Sequence, residues 1–104
     1  MGTDDYASAY MAAEAAYNAG DFEPLRNLLA DDFVTSDGKT ADEFVAGLRD
    51  TIRSFTTAGL TGYGPFLLDY GVGAAKDGTT YRAAGILRFN AAGKAVAFTA
   101  LGDA

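Results

Sequence analysis

Residues 66–101 read FLLDYGVGAAKDGTTYRAAGILRFNAAGKAVAFTAL, and the reading of this stretch decides the fold. Two turn signals divide it: Lys76-Asp77-Gly78, and Asn90-Ala91-Ala92-Gly93-Lys94. Both have the length and chemistry of hairpin loops, since Asn, Asp and Gly tolerate the backbone angles that tight reversals need. The flanking segments, Phe66 to Ala75, Thr80 to Phe89 and Ala95 to Leu101, are rich in aromatic and branched residues and predict an antiparallel meander. Gly71, Gly73 and Gly85 within these segments weaken pairing unless the sheet bends strongly or another group approaches closely. A curved sheet that wraps a helix satisfies both conditions.

The alternation within the strands assigns faces. Tyr81, Ala83, Gly85, Leu87 and Phe89 share one side, with Arg82 and Arg88 on the other, toward solvent or a partner. In the last strand Val96, Phe98 and Ala100 oppose Ala95, Ala97, Thr99 and Leu101, so both faces are apolar and both need cover. One cover is a helical layer, and the other face needs a second.

Upstream, the pattern is helical. Asp4 to Asn18 carries acids at its start, alanine in its interior and a stop at Asn18-Ala19-Gly20. Tyr6, Tyr10, Ala13 and Tyr17 fall on one stripe, while Met11, Ala12 and Ala15 offer a second thin apolar surface, so the helix is expected to be sandwiched. Asp21 can cap a short second helix with Glu23 and Pro24 in its first turn and Phe22, Leu25, Leu28 and Leu29 buried. Phe33 to Ser36 suggests a brief strand ending at the turn Asp37-Gly38. Thr40-Ala41-Asp42-Glu43 is a capping box that opens a third helix, along which Phe44, Val45, Leu48, Ile52 and Phe55 recur at helical spacing. From Thr57 through Pro65 the periodicity breaks, as in a flexible connection.

The whole chain of 104 residues fits one domain, 1–104, with an α+β core. Eight Lys and Arg against fourteen Asp and Glu give net charge −6, which opposes binding to nucleic acid or anionic membrane. Without Cys or His there is no disulfide, thiolate metal site or imidazole proton shuttle, so acid–base chemistry rests on Asp, Glu, Tyr, Lys and Arg, and no metal or other cofactor is implied. The N-terminal Gly2-Thr3-Asp4-Asp5 is unlike a secretory leader, and cytoplasmic residence is expected.

The order of elements, together with Asn18-Ala19-Gly20-Asp21, Leu29-Ala30-Asp31-Asp32-Phe33 and Leu87-Arg88-Phe89-Asn90-Ala91-Ala92-Gly93-Lys94, resembles the NTF2-like superfamily, in its ketosteroid-isomerase and SnoaL-like polyketide-cyclase branch. The resemblance implies a cone of three helices on a curved antiparallel sheet, here shortened by about one strand, because the stretch between the third helix and Asp77-Gly78 looks too brief. It also implies sheet-to-sheet homodimers and a pocket for a small apolar organic ligand. In the isomerases an Asp general base follows the first strand, a position that falls on Asp37. The family's tyrosine and acid donors to the developing oxyanion fall on Ala13 and Gly85, so both are missing. Tyr10 and Tyr17 flank Ala13 by one turn each, and either phenol can replace the lost donor.

The expected site is therefore Asp37 as base with Tyr17 or Tyr10 orienting a carbonyl oxygen, in a pocket walled by Ala13, Phe44, Leu48, Ala83, Gly85, Leu87, Phe98 and Ala100. The function this implies is a cofactor-independent isomerase or cyclase acting on an apolar carbonyl compound. A non-catalytic ligand-binding or dimerisation module of the same fold is the alternative, favoured by the missing donors. An Asp-Arg-Asp arrangement like that of the superfamily's epoxide hydrolases, with Asp69 and Arg82, is disfavoured by the phase that turns Arg82 outward. Gly71-Val72-Gly73 precedes no helix and does not form a phosphate cradle.

Overall fold

The computed structural model describes residues 3–101. In chain order it contains α1 (Thr3–Asn18), α2 (Glu23–Leu28), β1 (Leu29–Thr35), α3 (Ala41–Thr51), β2 (Ile52–Tyr63), β3 (Phe66–Ala75), β4 (Thr80–Phe89) and β5 (Ala95–Ala100). Among the described residues the strands form one five-stranded sheet in the order β1-β5-β4-β3-β2. β1 runs parallel to β5, and the remaining pairs are antiparallel. The meander is β3-β4-β5, with Gly78 and Gly93 at positive φ in its two turns.

The capping box forms as expected: Thr40 Oγ1 accepts from the Glu43 amide at 3.3 Å, and Glu43 Oε1 accepts from the Thr40 amide at 3.0 Å. The helix it opens is shorter than its apolar spacing suggests. α3 stops at Thr51, and Ile52 through Tyr63, expected as helix end and connection, is the long strand β2. The three-residue spacing of Ile52 and Phe55 fits a helix, and both reach the cavity from a strand because the ladder is irregular between Ile52 and Ser54; Ile52 and the pair Thr56-Thr57 are β-branched and favour an extended chain. The span between α3 and the Asp77-Gly78 turn thus holds two strands. They pair tightly: a Cβ on Gly71 would sit 2.1 Å from the Thr56 carbonyl oxygen, so glycine there lets β2 and β3 close on each other.

Two smaller expectations also change. The second helix starts from Phe22 with no side-chain cap, and Asp21 only accepts from the Glu23 amide at 3.2 Å. α1 is not sandwiched, because Met11, Ala12 and Ala15 are exposed. Its other stripe packs on the sheet: Tyr6, Ala13 and Tyr17 are buried, and the Tyr6 ring stacks on Phe89 at 4.4 Å. Leu25, Leu28, Phe33, Val45, Leu67 and Leu87 complete the core.

Candidate active site

A cavity of about 380 Å³ lies between the helices and the sheet. Phe44, Leu48, Ala83, Gly85, Leu87, Phe98 and Ala100 line it together with Leu25, Leu28, Leu29, Ile52 and Phe55. Ala13 is a correction to the expected wall: it does not line the cavity and is instead buried in the core. Gly85 has a specific neighbour. A Cβ there would fall 2.3 Å from the Phe98 ring, so the space an acid at this position would need is filled by that ring.

Asp37 is the larger correction. It lies outside the cavity, exposed on the turn after β1, where Gly38 adopts φ +90° and its amide donates to the Thr35 carbonyl at 2.9 Å. Asp37 Oδ1 accepts from Thr35 Oγ1, and Oδ2 lies 3.9 Å from Lys39 Nζ. The Thr35 hydrogen bond, with help from the Lys39 charge, lowers its pKa below the usual carboxylate value. The inward phase of β1 ends at Thr35, which is buried, and two residues later the chain has turned away.

Two carboxyls enter the cavity instead, Asp69 from β3 and Glu14 from α1, and Asp69 is the more deeply buried. On β3 the inward row is Leu67, Asp69, Gly71 and Gly73, and Asp69 is only 6 % exposed. Its partners come from α1 and β2. Tyr10 Oη donates to Asp69 Oδ2, and Thr57 Oγ1 lies 2.9 Å from Asp69 Oδ1. Thr57 Oγ1 also contacts Glu14 Oε1. Tyr10, Glu14 and Tyr17 sit at spacings of four and three on α1, so one helix face carries all three into the cavity. Asp69 pairs directly with Gly85 across β3 and β4. A tyrosine and an acid, Tyr10 and Asp69, thus meet one turn before Ala13 and one strand over from Gly85.

Burial raises the pKa of Asp69, opposed by the hydrogen bonds from Tyr10 and Thr57. Burial also raises that of Glu14, against the Thr57 hydrogen bond and with help from the Asp69 charge. Tyr10 is held protonated by burial and by the neighbouring Asp69 charge. Tyr17 is pushed up to about 12, first by burial and then by Tyr81 and Glu14. Its hydroxyl is fully enclosed and, among the described residues, is the buried side-chain polar atom that has no hydrogen-bond partner. A donor left unpaired in the protein interior costs about 1–3 kcal/mol.

Sequence reasoning passed over Glu14 and Thr57 and considered Asp69 only beside Arg82. The available signal was an acid in the run Phe66-Leu67-Leu68-Asp69-Tyr70, since carboxyls seldom enter apolar strands without a purpose. Arg82 is exposed and contributes to the cavity lining. Among the described residues no group of three or more His, Cys, Asp or Glu side chains could hold a metal ion, and no helix is long and apolar enough to cross a membrane.

This helix-and-curved-sheet geometry matches known structures closely. An NTF2-like protein of unknown function from Burkholderia pseudomallei superposes with a TM-score of 0.74 at 20 % identity, over 94 % of this chain and 90 % of that one. The chain has an NTF2-like fold. The fold is shared with RV0760c from Mycobacterium tuberculosis in complex with estradiol-17β-hemisuccinate, at TM-score 0.74 and 19 % identity over 94 % and 93 % of the two chains. It is shared equally with a Δ5-3-ketosteroid isomerase from a Mycobacterium species, at TM-score 0.73 and 17 % identity over 94 % and 92 %. No protein-family model matches the sequence, and no curated protein matches it significantly.

Proposed function

We propose that this NTF2-like chain binds a small, largely apolar molecule whose carbonyl oxygen accepts from Tyr17, and acts on it as a cofactor-independent isomerase- or cyclase-type enzyme with Asp69 as general base. The observation that carries the reading is the enclosed, unpartnered Tyr17 hydroxyl in an apolar cavity that also holds a buried carboxyl. Proton abstraction beside a carbonyl needs a base within reach and a donor for the developing oxyanion. In such a step the Asp69 carboxylate takes a proton from the carbon next to the carbonyl, the electron pair moves to oxygen, and the Tyr17 hydroxyl stabilises the enolate. Returning the proton to a different carbon completes an isomerisation and restores Asp69. The ionised form of Asp69 is the active one, and its raised pKa makes it a stronger base than a free carboxylate.

A second reading, a binding module without catalysis, is favoured by one observation: both Asp69 oxygens already have hydroxyl partners in Tyr10 and Thr57. Binding and solvent-deuterium exchange, measured over a panel of cyclic ketones that includes steroid ketones, separate the two. Binding with exchange supports the enzyme; binding without exchange supports the module; binding at no concentration removes both.

We also propose that the outer sheet face pairs with a second copy. Phe66, Tyr70 and Val72 alternate along β3 on that face with 42 %, 49 % and 47 % exposure, an apolar row that a partner sheet would cover. A monomeric mass by light scattering at micromolar concentration overturns this.

A further inference from the structure

The polar end of the cavity contains a hydrogen count that the general-base reading leaves unused. Three oxygen–oxygen contacts link four side chains in a row: Glu14 to Thr57, Thr57 to Asp69, and Asp69 to Tyr10. Each contact needs one hydrogen. Tyr10 and Thr57 supply one hydroxyl hydrogen apiece, and ionised carboxylates supply none. The row is therefore complete only when one carboxyl is protonated. Two arrangements fill it equally. In the first, protonated Glu14 donates to Thr57 Oγ1, and Thr57 donates to ionised Asp69. In the second, protonated Asp69 donates to Thr57 Oγ1, and Thr57 donates to ionised Glu14. The Tyr10 bond to Asp69 Oδ2 is the same in both.

We propose that Glu14 and Asp69 share a single proton through the Thr57 hydroxyl, and that Glu14 is the positioning residue through which the buried Asp69 is loaded and unloaded. Converting one arrangement into the other moves the Glu14 proton to Thr57 Oγ1 while the Thr57 hydrogen passes to Asp69 Oδ1. One proton and one negative charge exchange ends, and no outside reagent is needed. The two acids differ in the way a relay requires: Asp69 is buried, whereas Glu14 is half-exposed and meets solvent. Burial raises the pKa of both, in keeping with a proton retained between them. The other titratable groups on the cavity wall are Tyr10 and Tyr17 from α1, and Tyr81 and Arg82 from β4. A second observation at this cluster is independent of the carboxyls: the Tyr17 hydroxyl, close enough to feel the Glu14 charge, is enclosed without a hydrogen-bond partner and has a donor to offer a ligand.

The assignment of Glu14 as a relay rests on the proposed role of Asp69, but the shared proton is testable without any substrate. The full chain, labelled with ¹³C at its Asp and Glu side-chain carboxyls, is titrated by NMR. The resonances of residues 14 and 69 are expected to move together in two steps. The second step should lie above the ordinary carboxylate range. Thr57→Val should abolish the common second step, and Thr57→Ser should restore it. Loss of both protons within the ordinary range near pH ~4 in the wild-type chain overturns the proposal. So does a Thr57→Val chain that titrates like wild type. Failure of ketone binding, by contrast, counts against the enzyme and binding readings and leaves this titration unaffected.

Discussion

Two aspartates, thirty-two residues apart, show what the fold does with identical chemistry. Asp37 ends in solvent on the turn after β1, bonded to Thr35 and near Lys39, with its pKa lowered. Asp69 ends inside the sheet's concave face, bonded to Tyr10 and Thr57, with its pKa raised by burial. Spacing from a recognisable segment pointed to the first, whereas strand phase and cross-strand pairing deliver the second. The surroundings, more than the residue type, decide which carboxyl can act as a base.

The comparison breaks most sharply under truncation. Asp69→Ala leaves the buried Tyr10 hydroxyl without its acceptor and should lower stability in urea by about 3 kcal/mol. Asp37→Ala should leave the midpoint near that of wild type. Equal losses would erase the distinction between the two regions.

Next in size is the position where the family's acid is missing. Gly85→Ala places a Cβ 2.3 Å from the Phe98 ring, and overpacking of this kind costs about 2 kcal/mol. A neutral substitution, measured by thermal melting, would mean that Phe98 moves aside readily and that the displaced position of the acid is not enforced by packing.

Tyr17→Phe sharpens the picture by separating stability from binding. Removing an enclosed, unpaired hydroxyl should raise the stability of the ligand-free chain by about 1 kcal/mol, while ketone affinity falls. If stability drops instead, Tyr17 has a structural partner and is not held ready for a ligand.

The smallest effect is the pH dependence, where the two regions carry opposite signs. The folded-state pKa of Asp37 lies below the unfolded value, so its contribution is present above the unfolded pKa and is lost as pH falls through the folded one. The pKa values of Asp69 and Glu14 are raised, so their contribution is complete below the unfolded pKa and is lost as pH rises through the folded values. Urea midpoints followed from acid to neutral pH should lose the second component in Asp69→Asn and the first in Asp37→Asn.

Much of the architecture was legible from local chemistry. The Thr40 to Glu43 capping box, the Asp77-Gly78 and Asn90 to Lys94 turns, and the alternation that turns Ala83, Gly85 and Leu87 inward all act over a few residues. β2 was not, because the three-residue spacing of Ile52 and Phe55 continues the helical period, and an irregular pairing with β3 overrides it. That strand alternation also brings Ala83, Gly85 and Leu87 to the cavity, whereas Ala13, placed by family spacing, lies in the core. The polar end was not legible, since the contact of Tyr10 with Asp69 spans 59 residues, and that of Thr57 with Glu14 spans 43. Such contacts depend on sheet register, which no local pattern reports.

Solvent-deuterium exchange into a bound cyclic ketone, compared among the wild-type, Asp69→Asn and Asp37→Asn chains, tests most directly the proposal that Asp69 is a general base. Asp69→Asn is expected to lower the exchange rate by at least about 100-fold, with Asp37→Asn at the wild-type rate. Exchange that survives Asp69→Asn and disappears in Asp37→Asn would place the base on the β1 turn and overturn this reading of the cavity.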